Sequence, residues 1–417
     1  MDKRQYMSTC RIMLLVFLPL LTTCLHGQDF NDFFTDNTLR IDYIFAGNRN
    51  NQSIFVDELS KTPRWYGRRS NLGQPPLEGN GQITVMDNET GDVLYRHSFS
   101  TLFQEWLSTE ESLNVSRSFE NVFLVPYPKN PVCVRVDLFD YHGNVMASMT
   151  HPVDPNDVLI RKIETAAYPY STIKQADDTI KCINIAFIAE GYTEEEMENF
   201  LCDVNTATDA LFAHEPFKSK SDRFNIVAVM SASKESGVSE PSKAIWKQTV
   251  LESHFDTFYI DRYLTTLHLK RLHDALACIP YEHIIVLVNT ERYGGGGIYN
   301  SYNLSYTKGK NYDPVVVHEF GHSFGGLADE YAYSDSDPMY FSDTEPWEPN
   351  ITTKADFSNK WQNLIDKGEA GMYEGGGYLT EGVWRGCEDC RMKTNEYPEF
   401  CSVCQQALAR MIDFYTK

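Results

Sequence analysis

Basic residues are the scarce class in this chain. Lysine and arginine number 37 against 58 aspartate and glutamate in 417 residues, a formal net charge of −21 with histidine neutral. No basic stripe is left to neutralise phosphates, which excludes a nucleic-acid-binding surface. The acidity reads as a well-solvated surface rather than a device for drawing in a cationic substrate. Long apolar runs are scarce too: one spans Ile12 to Leu21, and none of that length follows it. The mature protein is therefore expected to be soluble or tethered, with no membrane span. No internal repeat or low-complexity tract is present. Gly294-Gly-Gly-Gly297 lacks the lysine and the Ser/Thr of a phosphate-binding loop. It reads instead as a loop leading to a strand near the active cleft, an edge on which an extended peptide could pair.

Lys3, Arg4 and Arg11 precede the apolar run, which breaks into Thr22-Thr-Cys-Leu-His-Gly27. Basic, apolar and small-residue regions in that order make residues 1–27 a secretory signal peptide, with cleavage expected after Gly27. Lipid attachment at Cys24 and an uncleaved anchor are the alternatives. The protein is expected to be secreted, periplasmic or at the cell surface. Removing Cys10 and Cys24 from the ten cysteines leaves eight. Cys133, Cys182, Cys202 and Cys278 are scattered in apolar surroundings and read as buried free thiols. Cys387, Cys390, Cys401 and Cys404 have the spacing of a tetrathiolate zinc site, but exported cysteines usually pair. Disulfides and a structural zinc both stay open.

Residues 28–160 carry short alternating runs, Leu39–Phe45, Gln82–Met86, Val93–Phe99, Val122–Val125 and Cys133–Phe139. Turns at Asn88–Asp92 and Asp140–Asn144 separate some of them. Many strands and few helical stretches predict an all-β sandwich, a packing or spacer module with nothing catalytic in it. His151–Pro155 looks like a linker. From residue 161 to 417 the pattern changes to α/β. Strands are expected at Ile183–Ile188, Phe224–Met230 and His283–Asn289. Thr193-Glu-Glu-Glu196 reads as a capping box, and a long amphipathic helix is expected over 258–279.

Histidine is sparse, at 11 residues, yet two stand together in His318-Glu-Phe-Gly-His322. At i and i+4 they lie on one helix face and can reach one metal, with Glu319 beside them to move protons. Val315 to Val317, Phe320 and Phe324 keep stray charge away from the motif. Asp313-Pro314 is expected to start the helix and Gly325-Gly326 to end it. The turn back would bring Asp329 to the metal as third ligand, with Glu330 the runner-up. Three protein ligands leave a fourth position open, as in a catalytic zinc. Glu319 is expected to be the general base for a water attacking a peptide carbonyl. Tyr331 is a candidate oxyanion donor.

His318-Glu-Phe-Gly-His-Ser-Phe-Gly-Gly-Leu-Ala-Asp-Glu-Tyr331 closely resembles the IgA-specific metallopeptidase family of secreted bacterial zinc endopeptidases. The resemblance extends to Ala189–Tyr192, Tyr373–Gly377, Cys390–Asn395 and Phe400–Cys404, and so covers about residues 165 to 417. The segment before it is similar to the module often fused there. The resemblance implies an α/β zincin of metzincin-like fold, preceded by the all-β sandwich domain. It also implies Zn²⁺ on His318, His322 and Asp329, and Glu319 as base. In true metzincins the third ligand would fall on Ala328, and Gly326 can absorb the extra residue. Met392 is the counterpart of their methionine turn.

The expected substrate is a protein or peptide, an immunoglobulin or another host protein among the options. Nothing in the residues encodes that preference. Two other readings stay open, a zinc amidase acting on a non-protein amide and a catalytically silent adhesin or binding protein. The intact Glu319 speaks against the silent one. Sequons at Asn51, Asn88, Asn114, Asn303 and Asn350 carry meaning only in a eukaryotic pathway.

Overall fold

The computed structural model describes residues 29–334 and 339–417. The expected signal peptide, Cys24 and the cleavage site lie outside the described residues. Among the described residues no helix is long and apolar enough to cross a membrane.

The first half is built from strands β1 (Phe34–Asn48), β2 (Asn51–Pro63), β3 (Gly81–Asp87), β4 (Val93–Phe99), β5 (Arg117–Pro128), β6 (Val132–Phe139), β7 (Val145–Val153) and β8 (Arg161–Lys162). They form two four-stranded sheets, β5-β1-β2-β8 and β4-β3-β6-β7. Every pairing is antiparallel except that of β2 with β8. Alternation along each strand turns one row of apolar side chains inward. Phe45 of β1, Phe99 of β4 and Phe123 of β5 meet there, with the Phe99 and Phe123 ring centroids 4.3 Å apart. Both expected turns join neighbouring strands. The linker expected at His151–Pro155 is corrected, because His151 to Val153 belong to β7 and pair with β6. The Tyr43 hydroxyl, 2.6 Å from His151 Nε2, fastens that strand to β1.

The outer face of β1 is buried as well. Arg40, on that face, pairs with Asp42 at 2.7 Å and reaches Asp274 of the second half at 2.6 Å. Two buried charges are tolerated there because they neutralise each other. The first half is thus packed onto the second, and is no spacer.

The second half centres on β9 (Tyr170–Lys174), β10 (Ile183–Glu190), β11 (Phe224–Val229), β12 (His283–Val288), β13 (Gly295–Ile298) and β14 (Tyr302–Tyr306). Their order is β13-β14-β12-β10-β11-β9; the inner pairs are parallel and both edges antiparallel. Period-two alternation makes this sheet a partition between two cores. Ile183, Ile185, Phe187 and Ala189 face the helices Met197–Ala213, Tyr312–Gly325 and Ser402–Thr416. Ala186 and Ile188 face the core shared with the first half. At about 1.5–3 kcal/mol for each large apolar side chain fully buried, this partition is a main source of stability for both halves. A small sheet, β15 (Ile351–Thr352), β16 (Tyr373–Gly376) and β17 (Leu379–Arg385), closes the far side in the order β15-β17-β16.

The long helix expected over 258–279 is corrected to Leu269–Ala275. Before it the chain is extended or turned, because threonine hydroxyls take other partners: Thr266 donates to Leu251 O at 2.6 Å and Thr265 meets Thr257 at 2.7 Å. The capping box at Thr193 holds, with Glu196 accepting from the Thr193 amide at 2.9 Å.

Candidate metal centre

The helix Tyr312–Gly325 presents its buried face, Tyr312, Val315, Val316, Phe320 and Phe324 among others, to the sheet and its neighbours. Its start differs from expectation. Asn311 takes the N-cap position, so Asp313 and Pro314 lie within the first turn. Proline is tolerated there because first-turn amides have no helical acceptor. The end is as expected. Gly326 adopts a left-handed φ of +59°, and its amide and that of Leu327 return to His322 O and Gly321 O. Only glycine takes that conformation without strain.

The turn brings three ligand atoms together. His318 Nε2 and His322 Nε2 are 3.0 Å apart, and Asp329 Oδ1 lies 3.0 and 3.3 Å from them. Each Nδ1 is already engaged, His318 with Arg391 O at 3.0 Å and His322 with Leu327 O at 2.6 Å. A carbonyl only accepts, so both Nδ1 atoms carry the proton and both Nε2 atoms present lone pairs. Two lone pairs and a carboxylate oxygen aimed at one point repel each other unless a cation stands between them. Asp329 Oδ1, though buried, takes no well-directed hydrogen bond. For bonds of about 2.0–2.1 Å, tetrahedral ligand atoms are separated by about 3.3 Å, close to what is seen. The three residues fit one ion.

The electrostatics agree. Burial lowers the His322 imidazole, but the Asp329 carboxylate outweighs it, and the net is a rise to about 9. The site attracts positive charge, and a proton takes the place that a metal would fill. Burial pushes the Glu319 carboxyl above the ordinary carboxylate range; His318 and His322 pull it back, and Asp329 adds to the rise. A divalent cation alongside would draw it down again.

Several neighbours escaped the reading of the residues. The Tyr378 hydroxyl donates to Asp329 Oδ2, while Gly377 N and Tyr378 N pair with Asp329 O and Tyr331 O at 2.8 and 3.0 Å. Tyr331, the candidate oxyanion donor, packs against Tyr378 with ring centroids 5.4 Å apart. Asn350 bonds both polar groups of Ala328 and reaches Glu330 Oε1 at 3.0 Å. Glu330 is turned away from the histidines. Met392 lies under the helix, its sulfur 2.7 Å from where a Cβ on Gly321 would stand.

The tetraglycine segment is itself the edge strand β13 and passes over the helix. A Cβ on Gly295 would come within 2.5 Å of Glu319 Oε1. The first half also reaches the cleft. Glu105, on the helix Leu102–Leu107, accepts a hydrogen bond from Tyr263. Burial pushes the Glu105 carboxyl up to about 7; Tyr263 and His322 oppose the rise, and Glu319 and Asp329 add to it. The glycine run was the signal that the sequence offered for these contacts.

A family model described as IgA Peptidase M64 matches residues 172–370 and 366–412, and one described as Peptidase M64 N-terminus matches residues 29–150. Compared with the curated proteins, the chain matches none.

Proposed function

The chain belongs to the M64 peptidase family, and from that premise we propose that it is a secreted zinc-dependent endopeptidase. His318, His322 and Asp329 hold the zinc, and Glu319 is the general base. Residues 161–417, apart from the short strand β8 that pairs with β2, form a metzincin-like zincin domain, and residues 28–160 a β-sandwich packed against it. The leader at residues 1–27 supports export, and a protein or peptide, an immunoglobulin or other host protein included, is the substrate.

The observation that carries the reading is the convergence of both Nε2 atoms and Asp329 Oδ1, with each Nδ1 held by a backbone carbonyl. When bound, zinc supplies Lewis acidity to a water and to the scissile carbonyl. Glu319 accepts the water's proton on its carboxylate as the water attacks, and delivers that proton to the departing amine. The outer side of β13, the edge expected to pair with an extended peptide, is already met by Tyr263 and Leu264, and the Leu264 amide donates to Gly295 O at 3.3 Å.

The test is hydrolysis of casein by the purified chain before and after treatment with a chelator, with zinc added back. Chelator-sensitive cleavage restored by zinc is expected. No cleavage of casein or of any unfolded protein by the zinc-loaded chain would overturn the reading.

A further inference from the structure

Beside the histidine site a second set of ligand atoms converges. The sulfurs of Cys390, Cys401 and Cys404 and a carboxylate oxygen of Glu330 lie within 4.8 Å of one another, and all four residues are buried. Cys390 Sγ is 3.7 Å from Cys404 Sγ; Glu330 Oε1 is 3.1 Å from Cys404 Sγ and 4.0 Å from Cys401 Sγ. With Zn–S bonds of about 2.3 Å, the sulfurs of a tetrahedral site are separated by about 3.8 Å. None of these cysteines is in a disulfide.

Two further observations point to a cation. The amides of Cys401 and Met392 aim at Cys390 Sγ from 3.2 and 3.5 Å, which favours a thiolate over a thiol. Glu330 Oε2 is buried with no hydrogen-bond partner, and an uncompensated buried carboxylate is strongly unfavourable. Cys387, the fourth cysteine that the spacing offered, is only half-buried; it touches Cys401 and faces Ser402 Oγ at 3.7 Å, but stays outside the cluster of four converging ligand atoms. Glu330 takes its place.

We propose that Glu330, Cys390, Cys401 and Cys404 hold a second, structural zinc ion. Three soft thiolates and one carboxylate close a tetrahedron and leave no open position, so the ion supports structure and not chemistry. Its binding expels the protons still held by the thiols. The placement gives it a purpose. Glu330 directly follows Asp329, and its amide donates to Met392 O at 2.8 Å, while Arg391 O holds His318 Nδ1. One ion thus ties the segment carrying the third catalytic ligand to the segment that orients the first.

The experiment counts metal in the full chain purified without chelator, and does so in His318→Ala as well. Two zinc ions are expected in the parent and one in the variant, the remaining one released to a chromogenic chelator only after a mercurial has capped the thiols. Cobalt substituted into His318→Ala should show thiolate-to-cobalt charge transfer in the near ultraviolet. Glu330→Gln should weaken this ion at least about tenfold, and Cys387→Ser should leave it unchanged. Should His318→Ala fold poorly, mercurial release from the parent chain reads the same ion. Absence of mercurial-released zinc, or a mass two hydrogens lighter from a bridge that takes in Cys390, Cys401 or Cys404, one from Cys387 to Cys401 included, overturns the proposal. Dependence on Cys387 in place of Glu330 overturns the ligand set. None of these outcomes depends on casein cleavage, so failure here is distinct from failure of the peptidase reading.

Discussion

The hydroxyl of Tyr378 donates a hydrogen bond to Oδ2 of Asp329, while Oδ1 of the same carboxylate faces His318 and His322. One oxygen is thereby fixed, and the other is left facing the point where the proposed metal would sit. Partners that orient a ligand in this way contribute about 10–100-fold to metal affinity. Tyr378→Phe should lose zinc affinity by that factor while its fold is kept, as chelator competition and circular dichroism would show. Unchanged affinity would mean that the hydroxyl merely fills space beside Asp329.

Gly295 leaves Glu319 its room. The Cβ of an alanine there would stand 2.5 Å from Glu319 Oε1, and the carboxylate would have to move. Misplacing a catalytic group by about 1 Å costs about 10²-fold in rate. Gly295→Ala is therefore expected to keep its metal and lose turnover by roughly that amount, measured as kcat on a peptide substrate. A variant with normal kcat would show that the side chain can retreat without harm.

Glu319→Gln should retain zinc and fold but lose about 10²–10⁴-fold in hydrolysis, since the amide cannot accept the water's proton. Zinc content and proteolysis measured on the same preparation decide it. Near-parental turnover in metal-loaded protein would remove Glu319 from the role of base.

How much of this was legible beforehand follows from the range of the interactions. The strands at Ile183, Phe224 and His283 and the helix carrying His318 and His322 announce themselves through local periodicity and unbroken apolar runs. The turn at Gly326 is legible because a left-handed residue after a helix asks for glycine. Tyr378 is 49 positions from Asp329, and Glu105 is 158 from Tyr263, so no local pattern joins them. The segment before Leu269 misleads for another reason: its apolar spacing is helical, but Thr257, Thr265 and Thr266 satisfy their hydroxyls outside a helix. Arg40 and Asp42 alternate with apolar residues along β1, and nothing local announces that Asp274 of the other half reaches Arg40.

The adjacent carboxylates Asp329 and Glu330 differ in what they face, and that difference makes the sharpest test of the centre. Asp329 Oδ1 stands 3.0 Å from His318 Nε2, whereas Glu330 Oε1 stands 3.1 Å from Cys404 Sγ and accepts from Asn350. Asp329→Ala removes the only anion among the three histidine-site ligands and should abolish tight zinc binding there. Glu330→Gln keeps the side chain's size and should leave the zinc at His318 and His322 in place, because its carboxylate points to the sulfurs. A chelator that strips only ions not held by thiols reads the histidine site in both variants. Since the two residues share one buried turn, general misfolding would affect both alike and cannot mimic a split result. Loss of the histidine-site ion in Glu330→Gln with its retention in Asp329→Ala would exchange the roles of the two carboxylates.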